Sequence, residues 1–299
     1  MSQAELPENG AAPLAAPGAE ATGAGEHGTR VFALIGSEIV TLFRRRRTIA
    51  LLAALAAVPV LIAIAVRVTT GNDRSDGPAF IGSITHNGLF AAFTALIVSI
   101  PAFLPLTVGV VAGDTIAGEA SLGTLRYLLV APIGRLRLLV VKYLGALSFV
   151  VAAVLAVVLF GVIIGAILFP IGPVTLLSGT TVGFGGFVGR ALLMVAYASL
   201  SLVGLTALGL FISTLTSMPV GAMAATIVLA VVTQVADGLS QLSWLHPYLF
   251  SHYWFALGDL LRAPVVWDSF GQNALLQLGY LVVFGLLAYA RLSTKDVLS

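Results

Sequence analysis

Few residues of this chain could carry out chemistry on a substrate. The sequence has no cysteine, four histidines and two lysines, Lys142 and Lys295, so thiolate and zinc–thiolate chemistry are excluded. Neither lysine follows a glycine, as the nucleotide-binding P-loop requires. His246 and His252 are six positions apart, which is not the i, i+4 spacing of a helical zinc site. We predict no catalytic residue, no metal site and no directly bound cofactor, with a metal or haem role for the two histidines as the minor alternative.

The composition indicates which elements must position these residues. Of 299 residues, 59% are hydrophobic and 9% are charged, whereas soluble domains carry about 25% charged residues. So few charges cannot cover a water-facing surface, and disorder requires the opposite composition. The sequence therefore predicts an all-α polytopic membrane protein with six transmembrane helices. Apolar stretches suited to spanning a bilayer lie at about residues 49–66, 90–111, 144–168, 191–215, 220–235 and 274–290.

Two segments of different character precede the first span. Residues 1–29 are rich in Ala, Gly, Pro and Glu and contain no Lys or Arg, which predicts a disordered cytoplasmic tail. Residues 30–47 have apolar positions at nearly helical spacing, which predicts an amphipathic helix in the membrane interface. Four consecutive cations are predicted to anchor this helix at the interface: Arg44, Arg45, Arg46 and Arg47. Nucleic-acid binding is the alternative for such a run, but no other feature supports it, so no nucleic-acid partner is expected.

The distribution of cations predicts the orientation. With the N-terminus inside, 11 of the 15 Lys and Arg residues fall on the cytoplasmic side and 4 fall outside. Positive residues concentrate in cytoplasmic loops, so we expect both termini in the cytoplasm of a cell with this chain in its plasma membrane. Residues 237–270 then form an external segment, whose aromatic run predicts short helices at the outer surface. Abundant Ala, Gly, Val and Arg with few Lys indicates a bacterial source.

The spans themselves exclude some functions. Their centres carry essentially no ionisable residue, whereas an ion-coupled transporter needs titratable groups inside the membrane. Pro101 and Pro105 in the second span remove backbone donors and kink a helix, which makes them a candidate hinge, with a packing adaptation as the alternative. Gly161 and Gly165 in the third span predict close approach of another helix, within one subunit or at a subunit interface.

The internal loop at 114–142 carries the most specific pattern. Four leucines recur at helical spacing between positions 122 and 129, with polar residues off that stripe. This predicts a short amphipathic helix over about 116–130 that stops near Pro132, followed by a second helical segment at 135–142. Such a loop is more polar than a turn needs to be, which indicates a surface that meets a soluble partner.

The loop resembles the signature of the type-two ABC transporter permeases. The matching run reads Glu119-x3-Gly123-Thr124-Leu125-x2-Leu128-Leu129-x2-Pro132-Ile133-x-Arg135-x6-Lys142 and follows the second span, as in that family. The basic interfacial helix and the run Arg291-Leu-Ser-Thr-Lys295 are similar too, so the resemblance covers residues 30–299 as one six-span permease domain. Many relatives carry a further acidic residue or an arginine after the glutamate, where this chain has Ala120-Ser121.

The resemblance implies a set of coupling residues and partners. Two permease subunits, identical or paralogous, would pair in the bilayer, each docked on a cytoplasmic ATPase subunit that binds ATP and magnesium. Glu119 would meet a basic residue of the ATPase, and the alternative is that the charges of the loop are merely solvated. The residues that the resemblance assigns to this contact are Glu119, Leu122, Gly123, Thr124, Leu125, Arg126, Tyr127, Pro132 and Arg135.

The expected function is therefore that of a membrane subunit of an ATP-driven exporter. Apolar and small residues in the spans favour an amphipathic drug, lipid or peptide as the substrate. The chain by itself would not be an enzyme, since ATP hydrolysis is expected in the partner. Two alternatives stay open: an ABC-like component of a cofactor or copper-enzyme maturation system, and, less favoured, a channel or secondary transporter that works without an ATPase.

Overall fold

The computed structural model describes residues 23–70, 84, 87–124, 134–176 and 178–294. Within these ranges the chain is almost entirely helical, which confirms the all-α class. The helices are α1 (Gly23–Arg44), α2 (Arg46–Thr70), α3 (Phe90–Ser99), α4 (Phe103–Ser121), α5 (Arg135–Leu168), α6 (Phe184–Ser201), α7 (Val203–Leu215), α8 (Pro219–Asp237) and α9 (Asp268–Thr294). A two-stranded antiparallel hairpin, β1 (Val174–Thr175) and β2 (Thr181–Val182), and three 3-10 helices, Ser240–Leu242, His246–Tyr248 and Trp254–Leu261, complete the described elements.

Six segments of the described chain are long and apolar enough to cross a membrane, as predicted. The chain is thus a multi-pass membrane protein. The fourth of these segments consists of two helices, α6 and α7, and the second is α4, which follows the shorter apolar helix α3 after a break at Pro101. The short helices predicted within 237–270 are also present.

The bundle has two chemically different ends. We call the end that holds Arg135, Lys142 and the end of α9 the basic end, where Arg135 donates to the carbonyl oxygens of Leu292, at 3.0 Å, and Ser293. The opposite end carries the hairpin and the three 3-10 helices, and we call it the aromatic end. There Arg190 of α6 donates to two carbonyl oxygens at the end of the last 3-10 helix, those of Leu260 and Arg262.

The interfacial helix differs from its predicted bounds at both ends. Helix α1 begins at Gly23, ahead of the predicted start at residue 30, because extending an existing helix costs far less than nucleating one. It ends at Arg44, and α2 begins at Arg46, so the helix axis breaks within the arginine run and not after it. The four arginine side chains of this run are all exposed, as an interfacial anchor requires.

The predicted coupling helix over 116–130 is wrong in its first half. Residues 116–121 continue α4, which is the second membrane-spanning segment, and do not start a separate helix. The helix then stops at Gly123, whose φ of 71° lies in the left-handed region that glycine adopts without strain. Thr124 N donates to the carbonyl oxygen of Glu119 at 3.0 Å, which closes this turn. At 135–142 the predicted helical segment is present as the first turns of α5.

Close contact between α3 and α5 holds the centre of the core. A Cβ added to Gly161 would lie 2.6 Å from Cα of Ala92, and one added to Gly165 would overlap the carbonyl oxygen of Gly88. The glycine pair therefore packs within one chain, which decides between the two predicted roles. Phe93, Phe149 and the other large side chains around this contact are completely buried.

The break between α6 and α7 is satisfied by side chains of α9. At the break, Gly204 N is free of a helical partner and donates to Oε1 of Gln277 at 2.9 Å. Gln277 Nε2 in turn donates to the carbonyl oxygen of Phe250 and to Asn273 Oδ1, at 3.0 and 3.1 Å. Because no water reaches a membrane interior, each group freed by a broken helix needs such a partner.

Replacement of Gly165 by alanine tests the close contact. The added methyl group would overlap the backbone of α3, so we expect Gly165→Ala to lower the free energy of unfolding by about 2 kcal/mol. The control is Gly271→Ala in α9, where an added Cβ meets no atom within 4 Å, and which should be neutral or slightly stabilising. Unfolding in mixed detergent micelles measures both. Equal stability of the two variants would contradict the packing described.

Candidate functional site

A buried lysine joins three helices at the basic end. Lys142 of α5 donates from Nζ to both carboxylate oxygens of Glu38 in α1, at 2.9 and 3.0 Å. It also pairs with Oε1 of Glu119, in the last turn of α4. Only 6% of the Lys142 side chain is exposed, against 22% for Glu38 and 15% for Glu119. We call these three residues the lysine triad.

The charges of the lysine triad are unbalanced. One cation faces two carboxylates, and Oε2 of Glu119 is buried without a hydrogen-bond partner within the described residues. A buried carboxylate oxygen without a donor is costly, so this atom can accept one more hydrogen bond from a group outside the described chain. The triad is therefore both a fastening between three helices and an incomplete acceptor site.

A second ion cluster lies beside the triad. Asp114 of α4 accepts from Arg45 and Arg47 at 3.5 and 3.3 Å, and Arg47 also approaches the carbonyl oxygen of Val110 at 3.3 Å. Both arginine side chains are nearly half exposed, so these pairs contribute little to stability by themselves. Their effect is to place the junction of α1 and α2 against α4, across a cavity of about 80 Å³ that Glu38 and Lys142 also line.

The structure places the predicted coupling residues in different settings. Leu122 is 78% exposed just beyond α4, and Thr124 Oγ1 donates to the carbonyl oxygen of Glu119 at 3.1 Å. Arg135 does not face outward, because its guanidinium caps the free carbonyls at the end of α9, where a cation also complements the helix dipole. The other coupling residues predicted by resemblance lie outside the described residues: Leu125, Arg126, Tyr127 and Pro132.

Sequence reasoning did not predict that Glu38, Glu119 and Lys142 act together. A signal was present for two of them, since Glu38 is the only acidic residue of segment 30–47 and Lys142 stands in an apolar run. An ionisable side chain in apolar surroundings requires a partner. The hydropathy pattern reports the need for a partner and contains no information on which distant residue supplies it.

A serine hydroxyl links α4 to α7 one turn above the triad. Ser213 Oγ accepts from the backbone N of Ile116 and Ala117, at 3.0 and 2.8 Å, and donates to the carbonyl oxygen of Gly113 at 2.7 Å. The side chain of Ser213 is completely buried. The end of α4 is thus bonded to α7 as well as to α1 and α5.

The proline pair coincides with a real discontinuity in the second span. Helix α3 ends at Ser99 and α4 starts at Phe103, with Pro101 between them and Pro105 in the first turn of α4. A cavity of about 460 Å³ lies between this break and α8, and Gln234 is the polar side chain among its apolar walls. The candidate hinge therefore borders an open space between the second span and α8.

One comparison with known proteins gives a match. Residues 56–298 match a family described as "Protein of unknown function (DUF2705)". The chain belongs to this family. The DUF2705 match contains Glu119, Lys142 and all helices from α3 onward, whereas Glu38 lies ahead of it. No curated protein matches the chain.

The histidines of this DUF2705 chain fasten the aromatic end. His252 Nδ1 lies 2.7 Å from Asp237 Oδ1, at the end of α8, and His246 Nε2 lies 3.1 Å from the carbonyl oxygen of Leu239. Within the described ranges, no three His, Asp or Glu side chains are grouped so that they could hold a metal ion. The geometry thus gives both histidines hydrogen-bonding partners from the protein.

Removal of the central cation tests the lysine triad. Lys142→Met leaves two carboxylates close together without a cation, and we expect it to lower the free energy of unfolding by about 3–5 kcal/mol. Glu119→Gln, introduced into the same variant, removes one of the two charges and should restore part of that loss.

Arg137→Met is the control for Lys142→Met, because Arg137 lies on the same helix and forms no ion pair among the described residues. It should change stability by less than about 1 kcal/mol. Unfolding in mixed micelles measures all three variants. A loss that Glu119→Gln fails to reduce would show that Lys142 stabilises the bundle by packing and not through the carboxylates.

Proposed function

We propose that this chain is the membrane subunit of an ATP-driven exporter of the type-two ABC class. The observation that carries the proposal is that Lys142 joins Glu38 of the interfacial helix to Glu119, the first residue of the coupling motif. The interfacial helix and the coupling motif, which are both part of the resemblance, are thereby fastened to each other.

The connection gives a physical route for the work of ATP hydrolysis. Closure of an ATPase dimer would push on the exposed turn at Leu122, which continues directly into α4. The lysine triad carries this displacement to α1, and Ser213 carries it to α7. Because packed helices shift as units between discrete arrangements, α4 then moves relative to the α3–α4 break at Pro101.

The break between α3 and α4 favours an apolar path for the substrate. Residues near the break and residues of α8 line an open space of about 460 Å³ with a single polar side chain, Gln234, among them. Such a space suits an amphipathic drug, lipid or peptide better than a sugar or an ion. The proposed exporter holds two of these chains, or this chain and a paralogue, with two ATPase subunits that bind ATP and magnesium.

The orientation follows from the same proposal. The basic end, with the exposed arginines of 44–47, would face the cytoplasm of a bacterial cell, and both termini would lie on that side. The aromatic end would face outward. This chain would supply the path and no catalytic residue, since hydrolysis takes place in the partner.

Isolation of the complex is the direct test. The chain is purified from its native membranes in a mild detergent, its partners are identified by mass spectrometry, and ATP hydrolysis is measured. A stoichiometric soluble protein with a P-loop is expected. Its absence in several mild detergents would overturn the proposal in favour of a channel. Transport of a defined compound into vesicles separates an exporter from a component of a maturation system.

Leu122→Arg tests the site of contact without disturbing the triad. Glu119→Arg is less suitable, since it also removes a partner of Lys142. Leu122 has no buried role, so Leu122→Arg should leave insertion intact and reduce co-purified ATPase at least tenfold, because a cation replaces an apolar contact.

The matched control is Leu239→Arg at the aromatic end, where the leucine side chain is also exposed. This variant should retain the ATPase at the wild-type level. The amount of ATPase per membrane subunit is measured by quantitative mass spectrometry for both variants. Retention of the ATPase by Leu122→Arg would remove the proposed contact at this turn.

A further inference from the structure

The cavity beside the lysine triad is lined by a buried hydroxyl group that has no partner among the described residues. The cavity lies where the start of α2 meets α1, α4 and α5, and Thr48 forms part of its wall. Only 3% of Thr48 is exposed, yet its hydroxyl makes no hydrogen bond within the ranges that the structure describes. Buried polar groups in folded proteins normally have a partner. Thr48 therefore indicates that a polar group from outside the chain belongs in this cavity.

The two arginines that line the same cavity have unused donors. Arg45 and Arg47 share one oxygen of Asp114, at 3.5 and 3.3 Å, whereas a charge-assisted hydrogen bond is usually about 2.7–2.9 Å long. Each guanidinium carries several N–H donors. The further contacts of Arg47 are also long, to the carbonyl oxygen of Val110 at 3.3 Å and to Sδ of Met223 at 3.7 Å. Two cations thus face a single carboxylate, which leaves donors for a second acceptor.

The balance of charge at this place favours an anion. Five positive charges are carried by the arginines at 44–47 and by Lys142. Three negative charges oppose them, on Glu38, Asp114 and Glu119, which leaves an excess of two positive charges. The excess lies at the arginines, because Lys142 is already paired with Glu38 and Glu119. The first turn of α2 adds a partial positive charge, since its N–H groups have no partner within the helix.

The chemistry of the wall and its depth in the membrane favour a phosphate group. The oxygens of one phosphate accept from two guanidiniums and a hydroxyl at the same time, and the arginine fork matches their geometry. The first membrane-spanning segment begins at Arg46, so the cavity lies at the level of the lipid head groups, where phosphate is abundant. Basic pockets between helices at this level bind the head groups of anionic lipids in other membrane proteins.

We propose that this cavity binds one phosphate group, held by Arg45, Arg47 and the hydroxyl of Thr48. Asp114 then competes with the phosphate for the two arginines. The group belongs to the head group of a phospholipid or to free phosphate, and the experiment separates the two sources. The site goes beyond the proposed function and needs no ATPase, so each of the two proposals can fail without the other.

Two pairs of arginine substitutions test the site. Arg45→Gln with Arg47→Gln is compared with Arg44→Gln with Arg46→Gln, which removes the same charge from the same run but lies outside the cavity wall. The full chain is freed of lipid in detergent. Native mass spectrometry then measures binding of phosphatidylglycerol and of a phosphate-free glucosyl diacylglycerol with the same acyl chains, and calorimetry measures binding of inorganic phosphate.

The wild type should prefer the phosphate-bearing ligand over the glucosyl lipid. Loss of Arg45 and Arg47 should weaken phosphate binding about a hundredfold, since several charge-assisted hydrogen bonds are removed. The control pair should weaken it by no more than about threefold, because exposed charges act only at long range and are screened by salt.

Thr48→Val and Asp114→Asn give results that simple attraction to a basic surface does not predict. Thr48→Val keeps the shape and the charge but removes the hydroxyl, so phosphate binding should weaken about tenfold. Its control is Thr41→Val, at an exposed threonine of α1 away from the cavity wall, which should leave binding unchanged. Asp114→Asn removes the competing carboxylate and should strengthen binding about threefold.

The ligand preference of the wild type identifies the source of the phosphate. Binding of inorganic phosphate by itself assigns the site to free phosphate, and binding of phosphatidylglycerol alone assigns it to a lipid head group. Equal retention of both lipids without binding of inorganic phosphate would overturn the proposal. So would equal losses in the two arginine pairs, equal binding by Thr48→Val and Thr41→Val, or weaker binding by Asp114→Asn. If the double variant at Arg45 and Arg47 does not insert, Arg47→Lys replaces it, with an expected loss of about fivefold because the fork is removed. Unchanged binding in that variant would also contradict the proposal.

Discussion

The pairing of Lys142 is the constraint on which the basic end of this protein depends. A lysine with 6% of its side chain exposed has to be matched by carboxylates, and the two that match it come from α1 and α4. The interfacial helix is therefore bound to the bundle by a charge and not only by its apolar stripe. The same lysine also holds the last turn of the second span, where Glu119 lies.

Two interruptions of helices also shape the structure, and the backbone groups that each one frees are dealt with differently. At the α6–α7 break, Gln277 and Asn273 supply the hydrogen bonds that the backbone has lost. At the α3–α4 break, Pro101 removes a donor, so fewer groups need a partner. The first solution ties the fourth span to α9, and the second leaves open space beside α8. The interruption with open space is the one that has room to change shape.

The sequence predicted the spans and their number because an uninterrupted run of about 20 apolar residues is by itself enough to indicate a membrane-spanning helix. Pro101 marked one interruption, but nothing local marked the one at Leu202, since it depends on α9 side chains some 70 positions away. The turn at Gly123 was readable from its glycine, yet the leucine spacing predicted a helix through it. Likewise, Arg135 matched a motif by type, whereas its partners at Leu292 and Ser293 follow only from the fold. Local sequence patterns thus predicted the secondary-structure elements. The polar contacts between residues far apart in the chain could be identified only in the structure.

The contact between Arg135 and the end of α9 also has a consequence for biogenesis. The arginine and the carbonyl of Leu292 are 157 positions apart, so during synthesis the start of α5 leaves the ribosome long before α9 does. Until α9 is inserted, the first residue of α5 lacks the acceptors that hold it. A chain arrested before that point has its first five spans in place but the first residue of α5 unfastened, which quality-control proteases could distinguish from the finished protein.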